Sequence, residues 1–174
     1  MPVLLGCFGF LALAFFGLAA LMALSYPVYE HIFIKAREVQ AKNDAYGLAN
    51  AIRSFYSEYS DYPVPALTKE TTMQSSAPIM LVLIAEEPDN AKKLNPRDIA
   101  FFAADRAKDN RAGLTADNTF LDPWGSPYII ILDTDFDTRI LDPISDETFP
   151  SRAEVYSPGP DQDPNTWQDN IRTW

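Results

Sequence analysis

The chain has 174 residues, with 24 Asp and Glu against 14 Lys and Arg, a net charge of −10. That balance disfavours nucleic acid and anionic lipid surfaces as partners, because both repel an acidic chain. The one cysteine, Cys7, lies inside an apolar run and the one histidine, His31, stands at its exit, so no zinc ligand set, Cys–His pair or Ser–His–Asp triad is expected, and a non-enzymatic role is read.

From Val3 to Tyr26 there is no charged residue; the first is Glu30. A run of this length suffices to cross a hydrocarbon core about 30 Å thick, and in lipid it must be helical to satisfy its own backbone. We therefore read 1–27 as a transmembrane helix and 28–174 as a head that includes a helical spine over 28–60. Gly6, Gly9 and Gly17 allow close helix approach, and Pro27 introduces a kink. Cys7 lies inside the apolar run, so cysteine usage does not identify the compartment. Lys35, Arg37 and Lys42 follow the span; taken alone they place the C-terminal side in the cytoplasm, a preference that a long exported domain overrides.

Ala41, Ala45, Leu48, Ile52, Phe55 and Tyr59 recur at helical spacing and form one apolar stripe. Lys42, Asp44, Asn50, Arg53, Ser57 and Glu58 mark the other face. At about 1.5 Å per residue, a helix from Pro2 to Tyr59 would be about 85 Å long. Tyr62 and Val64 each precede a proline and are expected to be extended. The polar 66–77 segment reads as irregular. Pro78 to Glu87 reads as a second helix or a buried segment, Asn95 to Asp98 as a turn, Ile99 to Phe102 as a short strand, and Asp105 to Asn118 as an exposed loop.

Tyr128 to Leu132, aromatic and β-branched between turns, is the clearest strand. Thr138 to Leu141 is expected to return as its hairpin partner, Asp142 to Ser151 to be a loop, and Ala153 to Tyr156 to be a last strand before a tail rich in Pro, Asp and Asn. The fold class is thus α+β, one long helix packed on a small antiparallel sheet.

Three motifs carry a family resemblance. The spine ends on Tyr59-Ser60-Asp61-Tyr62-Pro63. Next comes Asp122-Pro123-Trp124-Gly125-Ser126-Pro127-Tyr128, and then Ser157-Pro158-Gly159-Pro160-Asp161 with Asp169-Asn170-Ile171-Arg172-Thr173-Trp174. In this order they resemble the major pseudopilin of type II secretion systems, within the type IV pilin superfamily, over roughly residues 36–174. The resemblance implies a pilin-like fold and a structural subunit that polymerises through its apolar helix to drive protein export. Its partners would be copies of itself, other pseudopilins and inner-membrane components of the secretion system. It also implies a single-pass place in the bacterial inner membrane, with the head in the periplasm or in an extracellular filament. The sequence departs from the family at the N-terminus. Gly9-Phe10 stands where a processing junction would, but Ala14 occupies the position of the family's glutamate, and counting from Met1 that position is Leu5. The alternative is an unprocessed, single-span anchored binding module that does not polymerise.

Asp161, Asp163, Asn165, Asp169 and Asn170 crowd one short tail with oxygen ligands suited to a hard cation, or simply form a solvated acidic turn. The resemblance implies calcium here, with Asp161, Asp169 and Asn170 at ligand positions and Gln162 where the family has glycine. Asp133, Asp135 and Asp137 read first as hairpin-turn aspartates and second as a weak cation site, because an EF-hand loop would need Gly at 138 and Glu at 144, where Thr138 and Ile144 stand. Asp122, Pro123 and Gly125 read as a tight turn that aims Trp124 at the spine, and Trp174 is expected to pack back on the sheet and close the calcium loop.

Overall fold

The computed structural model describes residues 32–65, 70–88 and 92–174. The membrane-spanning segment expected over 1–27, with Gly6, Gly9, Gly17 and Pro27, lies outside the described residues. No helix among the described residues is long and apolar enough to cross a membrane. The chain divides into two compact units, Met1–Arg37 and Glu38–Trp174. The described part of the first, residues 32–37, is helical, and Ile32, Phe33 and Ile34 are exposed there.

The second unit mixes helix with antiparallel sheet. Its first helix, α1, covers residues 38–59. Ala41, Ala45, Leu48, Ile52 and Phe55 are buried and Tyr59 is partly so, which makes the 3.6-residue stripe the core face of α1. Nine further elements follow among the described residues, six of them before residue 142. These six are β1 (Thr71–Gln74), α2 (Ala77–Leu83), β2 (Gly113–Leu114), β3 (Phe120–Leu121), β4 (Ile129–Leu132) and β5 (Arg139–Leu141). Then follow β6 (Thr148–Pro150), β7 (Ala153–Ser157) and β8 (Ile171–Arg172).

The main sheet runs β1-β4-β7-β8, all antiparallel, while β2 pairs with β3 and β5 with β6. Alternation along its strands assigns two faces. Tyr128, Ile130, Leu132, Ala153 and Val155 join the core cluster that contains the α1 stripe. Ile129, Ile131 and Tyr156 face the other way, onto Ile140, Phe149, Trp167 and Trp174. The sheet is therefore covered on both faces, and all four residues of β4 are buried. That is why β4 reads as an unbroken apolar run instead of alternating. Trp174 packs back on the sheet as expected, with its ring 6.0 Å from Tyr156 and 6.2 Å from Phe149.

Several expected elements differ. The polar stretch holds β1, an edge strand with alternating half-buried and exposed residues, so it needs few apolar side chains. Residues 66–69 of that stretch lie outside the described residues. Ile99 to Phe102 forms no strand: the N–H groups of Phe101 and Phe102 both donate to the Leu83 carbonyl at the end of α2. The 105–118 loop contains β2, whose Leu114 is buried. β5 does not pair with β4, whose edges are taken by β1 and β7; it pairs with β6 inside the expected 142–151 loop. β7 is not the last strand, because β8 adds to its free edge.

The polar face of α1 is only partly solvent-facing. Tyr128 Oη donates to Asp44 Oδ2 at 3.3 Å, and burial pushes the Asp44 carboxyl up. Arg53 reaches the Ala153 carbonyl at 2.6 Å and Glu154 Oε1 at 2.8 Å, tying α1 to β7. Asn95, fully buried, fastens the middle segment: its Oδ1 accepts from Tyr59 Oη at 2.7 Å and from Ile99 N at 3.1 Å. Its Nδ2 donates to the Val82 and Ile99 carbonyls.

Phe55 is the largest apolar side chain of the α1 stripe and sits 5.3 Å, ring to ring, from Phe101. Phe55→Ala is expected to cost about 3–5 kcal/mol, read as a lowered denaturation midpoint of the full chain in detergent. A midpoint within error of the parent would mean that this stripe does not carry the core.

Candidate cation sites

The second and third sequence motifs meet in space. Asp122 is fully buried. Its Oδ1 accepts the N–H groups of Trp124 at 2.9 Å, Gly125 at 2.8 Å and Ser126 at 2.9 Å. Its Oδ2 accepts from Ser157 Oγ at 2.5 Å, and Ser157 Oγ in turn accepts from Gly159 N at 3.0 Å. Burial pushes the Asp122 carboxyl up, and these hydrogen bonds offset only part of that rise. One carboxylate thus folds the Asp-Pro-Trp-Gly turn and anchors the start of the C-terminal loop. Trp124 is buried, but it is not in the cluster that faces α1; its carbonyl accepts from Gln162 Nε2 at 2.6 Å, so the turn lies against the C-terminal loop.

The C-terminal loop closes on Gly159, at φ +78°, where an added Cβ would stand 2.3 Å from the Asp169 carbonyl oxygen. Gln162, in the place of the family's glycine, takes φ 63°. Asp161 N donates to Asp169 Oδ2 at 3.3 Å, which brings two of the expected ligand residues together. Asp161 Oδ1 accepts from Asp163 N at 2.9 Å, and its Oδ2 accepts from Thr166 Oγ1; these bonds hold the Asp161 carboxyl below its usual range. Asp163 Oδ1 accepts from Asn165 N at 3.0 Å and from Asn165 Nδ2 at 2.9 Å, an Asx turn. Asn170 donates through Nδ2 to the Pro164 carbonyl at 3.1 Å, while its buried Oδ1 has no hydrogen-bond partner. The loop therefore brings Asp161 against Asp169 and leaves a buried amide oxygen, Asn170 Oδ1, without a partner, while its carboxylates do not converge into one group.

The second acidic group lies between β4 and β5. Asp133, Asp135 and Asp137 each bring one carboxylate oxygen within 4.8 Å of the others, a group that could hold a metal ion. Asp133 is buried, whereas Asp135 and Asp137 are exposed. Burial and the neighbouring Asp135 push the Asp133 carboxyl up. Its surroundings come from three distant places in the chain. Arg152 Nη1 stands 3.7 Å from Asp133 Oδ2, with the guanidinium 4.3 Å over the Tyr56 ring. Tyr62 is buried, and both burial and the Asp133 charge push its hydroxyl up. Glu70 accepts from Leu141 N at 3.1 Å and is pushed up by burial, with Asp135 and Asp137 adding to the effect.

Tyr62, Glu70 and Arg152 lie far from the Asp-x-Asp-x-Asp run in the chain; Tyr62 stands out in the sequence only as a motif residue before proline, and Glu70 and Arg152 carry no local signal. Ser157 and Gly159 belong to the third motif, but the sequence assigns them no role. Nothing in the geometry brings the two acidic groups into one site.

Compared with known proteins, the chain matches no family model, no curated protein and no solved structure.

Proposed function

We propose that this chain is a structural subunit of a pilin-like filament, of the type II secretion pseudopilus or type IV pilus kind. In this reading many copies associate through residues 1–27 and drive protein export by lengthening the filament. The observation that carries the reading is the combination of a charge-free apolar run with an amphipathic helix whose stripe lies under an antiparallel sheet. The motif order described above supports it, and so do Ile32, Phe33 and Ile34, exposed in the first unit, and Val39, exposed in the second. The subunit would sit in a bacterial inner membrane with its head in the periplasm, or in an extracellular polymer. Its partners would be further copies, other pseudopilins and membrane components of the secretion machine.

In this reading the C-terminal loop takes calcium through Asp161, Asp169 and Asn170. The meeting of Asp161 with Asp169 and the unpartnered Asn170 Oδ1 support it. Calcium that binds only the folded loop stabilises it by mass action. Adding a chelator to the full chain in detergent is expected to speed protease cutting within 159–170, with calcium restoring protection. Cutting that is indifferent to calcium would contradict the assignment.

A second reading, a single-span anchored binding module that does not polymerise, is favoured by Ala14 and Leu5 at the candidate positions of the family's glutamate. The two differ in self-association. Chemical crosslinking in native membranes is expected to give a ladder of multimers from the natural chain, and a much weaker one from Gly17→Phe, which keeps the segment apolar but blocks close helix approach. Monomer alone, with the ladder missing from the natural chain, would favour the anchor.

A further inference from the structure

We infer that the turn between β4 and β5 binds one hard divalent cation through Asp133, Asp135 and Asp137, as a site separate from the C-terminal loop. The three carboxylates converge within 4.8 Å. Convergence alone is common among acidic turns; the distinguishing feature is Asp133. It is fully buried, and its two oxygens differ. Oδ2 accepts from Thr138 N at 3.0 Å and faces Arg152 at 3.7 Å. Oδ1, also buried, accepts no hydrogen bond. A buried carboxylate oxygen without a donor is unfavourable, and two further carboxylates beside it add repulsion. A cation that takes oxygen ligands relieves both effects at once. Arg152 relieves them only in part, because its guanidinium is also spread over Tyr56 and its Nη1 makes no hydrogen bond.

The spacing fits the chemistry. Asp133, Asp135 and Asp137 occupy the first, third and fifth places of an EF-hand-like run, whose sixth place is glycine for a sharp turn. Here the sixth is Thr138, and it takes φ 66°. This β-branched residue adopts the left-handed conformation usually left to glycine. The turn thus bends around Asp133 without the glycine. Asp137 Oδ1 accepts from Arg139 N at 2.7 Å, and Asp135 Oδ1 accepts from Asp137 N at 3.4 Å, so each keeps a second oxygen for a ligand. The twelfth place is Ile144, so the bidentate glutamate of an EF-hand is not available from there. With fewer protein oxygens and water completing the shell, affinity is expected in the weak range, about 0.1–1 mM.

The turn also carries Phe136, whose ring lies 5.6 Å from Tyr62 and 6.3 Å from Tyr56, near the end of α1. Filling the site would fix this aromatic contact.

The test is calcium titration by calorimetry of the full chain in detergent, in an Asp161→Asn/Asp169→Asn background that weakens the C-terminal loop. One calcium per chain is expected there. Adding Asp135→Asn/Asp137→Asn, both exposed positions, is expected to lower the affinity about tenfold or more, with an unchanged circular dichroism spectrum. Asp135→Asn alone serves as a second, milder variant with a smaller loss in the same direction. Absence of calcium uptake by the background up to about 10 mM, well beyond the weak range, would overturn the proposal. So would an affinity that neither variant changes.

Discussion

Gly159→Ala is expected to be among the most damaging single changes in the head, lowering stability by about 3 kcal/mol or more. Two effects act together. The residue sits at φ +78°, where a side chain is strained, and the new Cβ would lie 2.3 Å from the Asp169 carbonyl oxygen and 3.0 Å from its carbonyl carbon. Both atoms are backbone, so no rotamer change relieves the overlap. The only relief is to move residues 159–169 apart, which would separate Asp161 from Asp169 and pull Gly159 N from Ser157 Oγ. Thermal unfolding of the full chain in detergent should show a lower midpoint, and protease should cut first in the C-terminal loop. An unchanged midpoint with an intact loop would mean that this close approach does not organise the tail.

Asp122→Ala is expected to cost about 3–5 kcal/mol, because it strips the partner from three backbone N–H groups and a hydroxyl that are mostly buried. Asp122→Asn separates hydrogen bonding from charge. Its amide oxygen can still accept the three N–H groups, so a loss of no more than about 1 kcal/mol is expected. The pH dependence follows from the sign of the shift. Burial, the largest cause, raises the Asp122 carboxyl in the folded state, so the folded chain holds this proton more tightly than the unfolded one. Ionisation is then a cost present at neutral pH, and it is relieved as pH falls through the raised folded value. Asp122→Asn should remove that part of the pH dependence. Equal damage from Ala and Asn would contradict the hydrogen-bond account.

The parts of the fold that rest on repetition were legible from the residues alone. The α1 stripe repeats at 3.6 residues, and β4 is a β-branched run bounded by turns, so each shows its burial in its own sequence. β1 was hidden because an edge strand needs little apolar surface; Thr71–Gln74 is held by its pairing with β4, which lies far along the chain. β5 was visible as a strand, but its partner was not, since the sequence gives no sign that both edges of β4 are already taken. The same distinction governs the candidate sites. Asp161, Asp163, Asn165, Asp169 and Asn170 stand out by density, the choice of Asp161, Asp169 and Asn170 among them comes from the family resemblance, and the Asp133 run stands out by its spacing. That Asp133 is buried beside Tyr62 and Arg152 depends on three segments meeting, and no local pattern encodes that meeting. Asn95 is similar: a turn-former by sequence, it becomes a buried connector only when Tyr59 and Val82 arrive beside it.

Polymerisation through residues 1–27 is the role we propose for this chain. The most direct measurement is to shear cells of the native host, sediment the released material, and look for this chain in thin filaments by immunogold electron microscopy. Labelled filaments are expected if the chain polymerises, with a yield that falls sharply for Gly17→Phe. A natural chain that stays in the membrane fraction and leaves detergent as a monomer, with no labelled polymer, would contradict it and leave the anchored binding module as the reading to pursue.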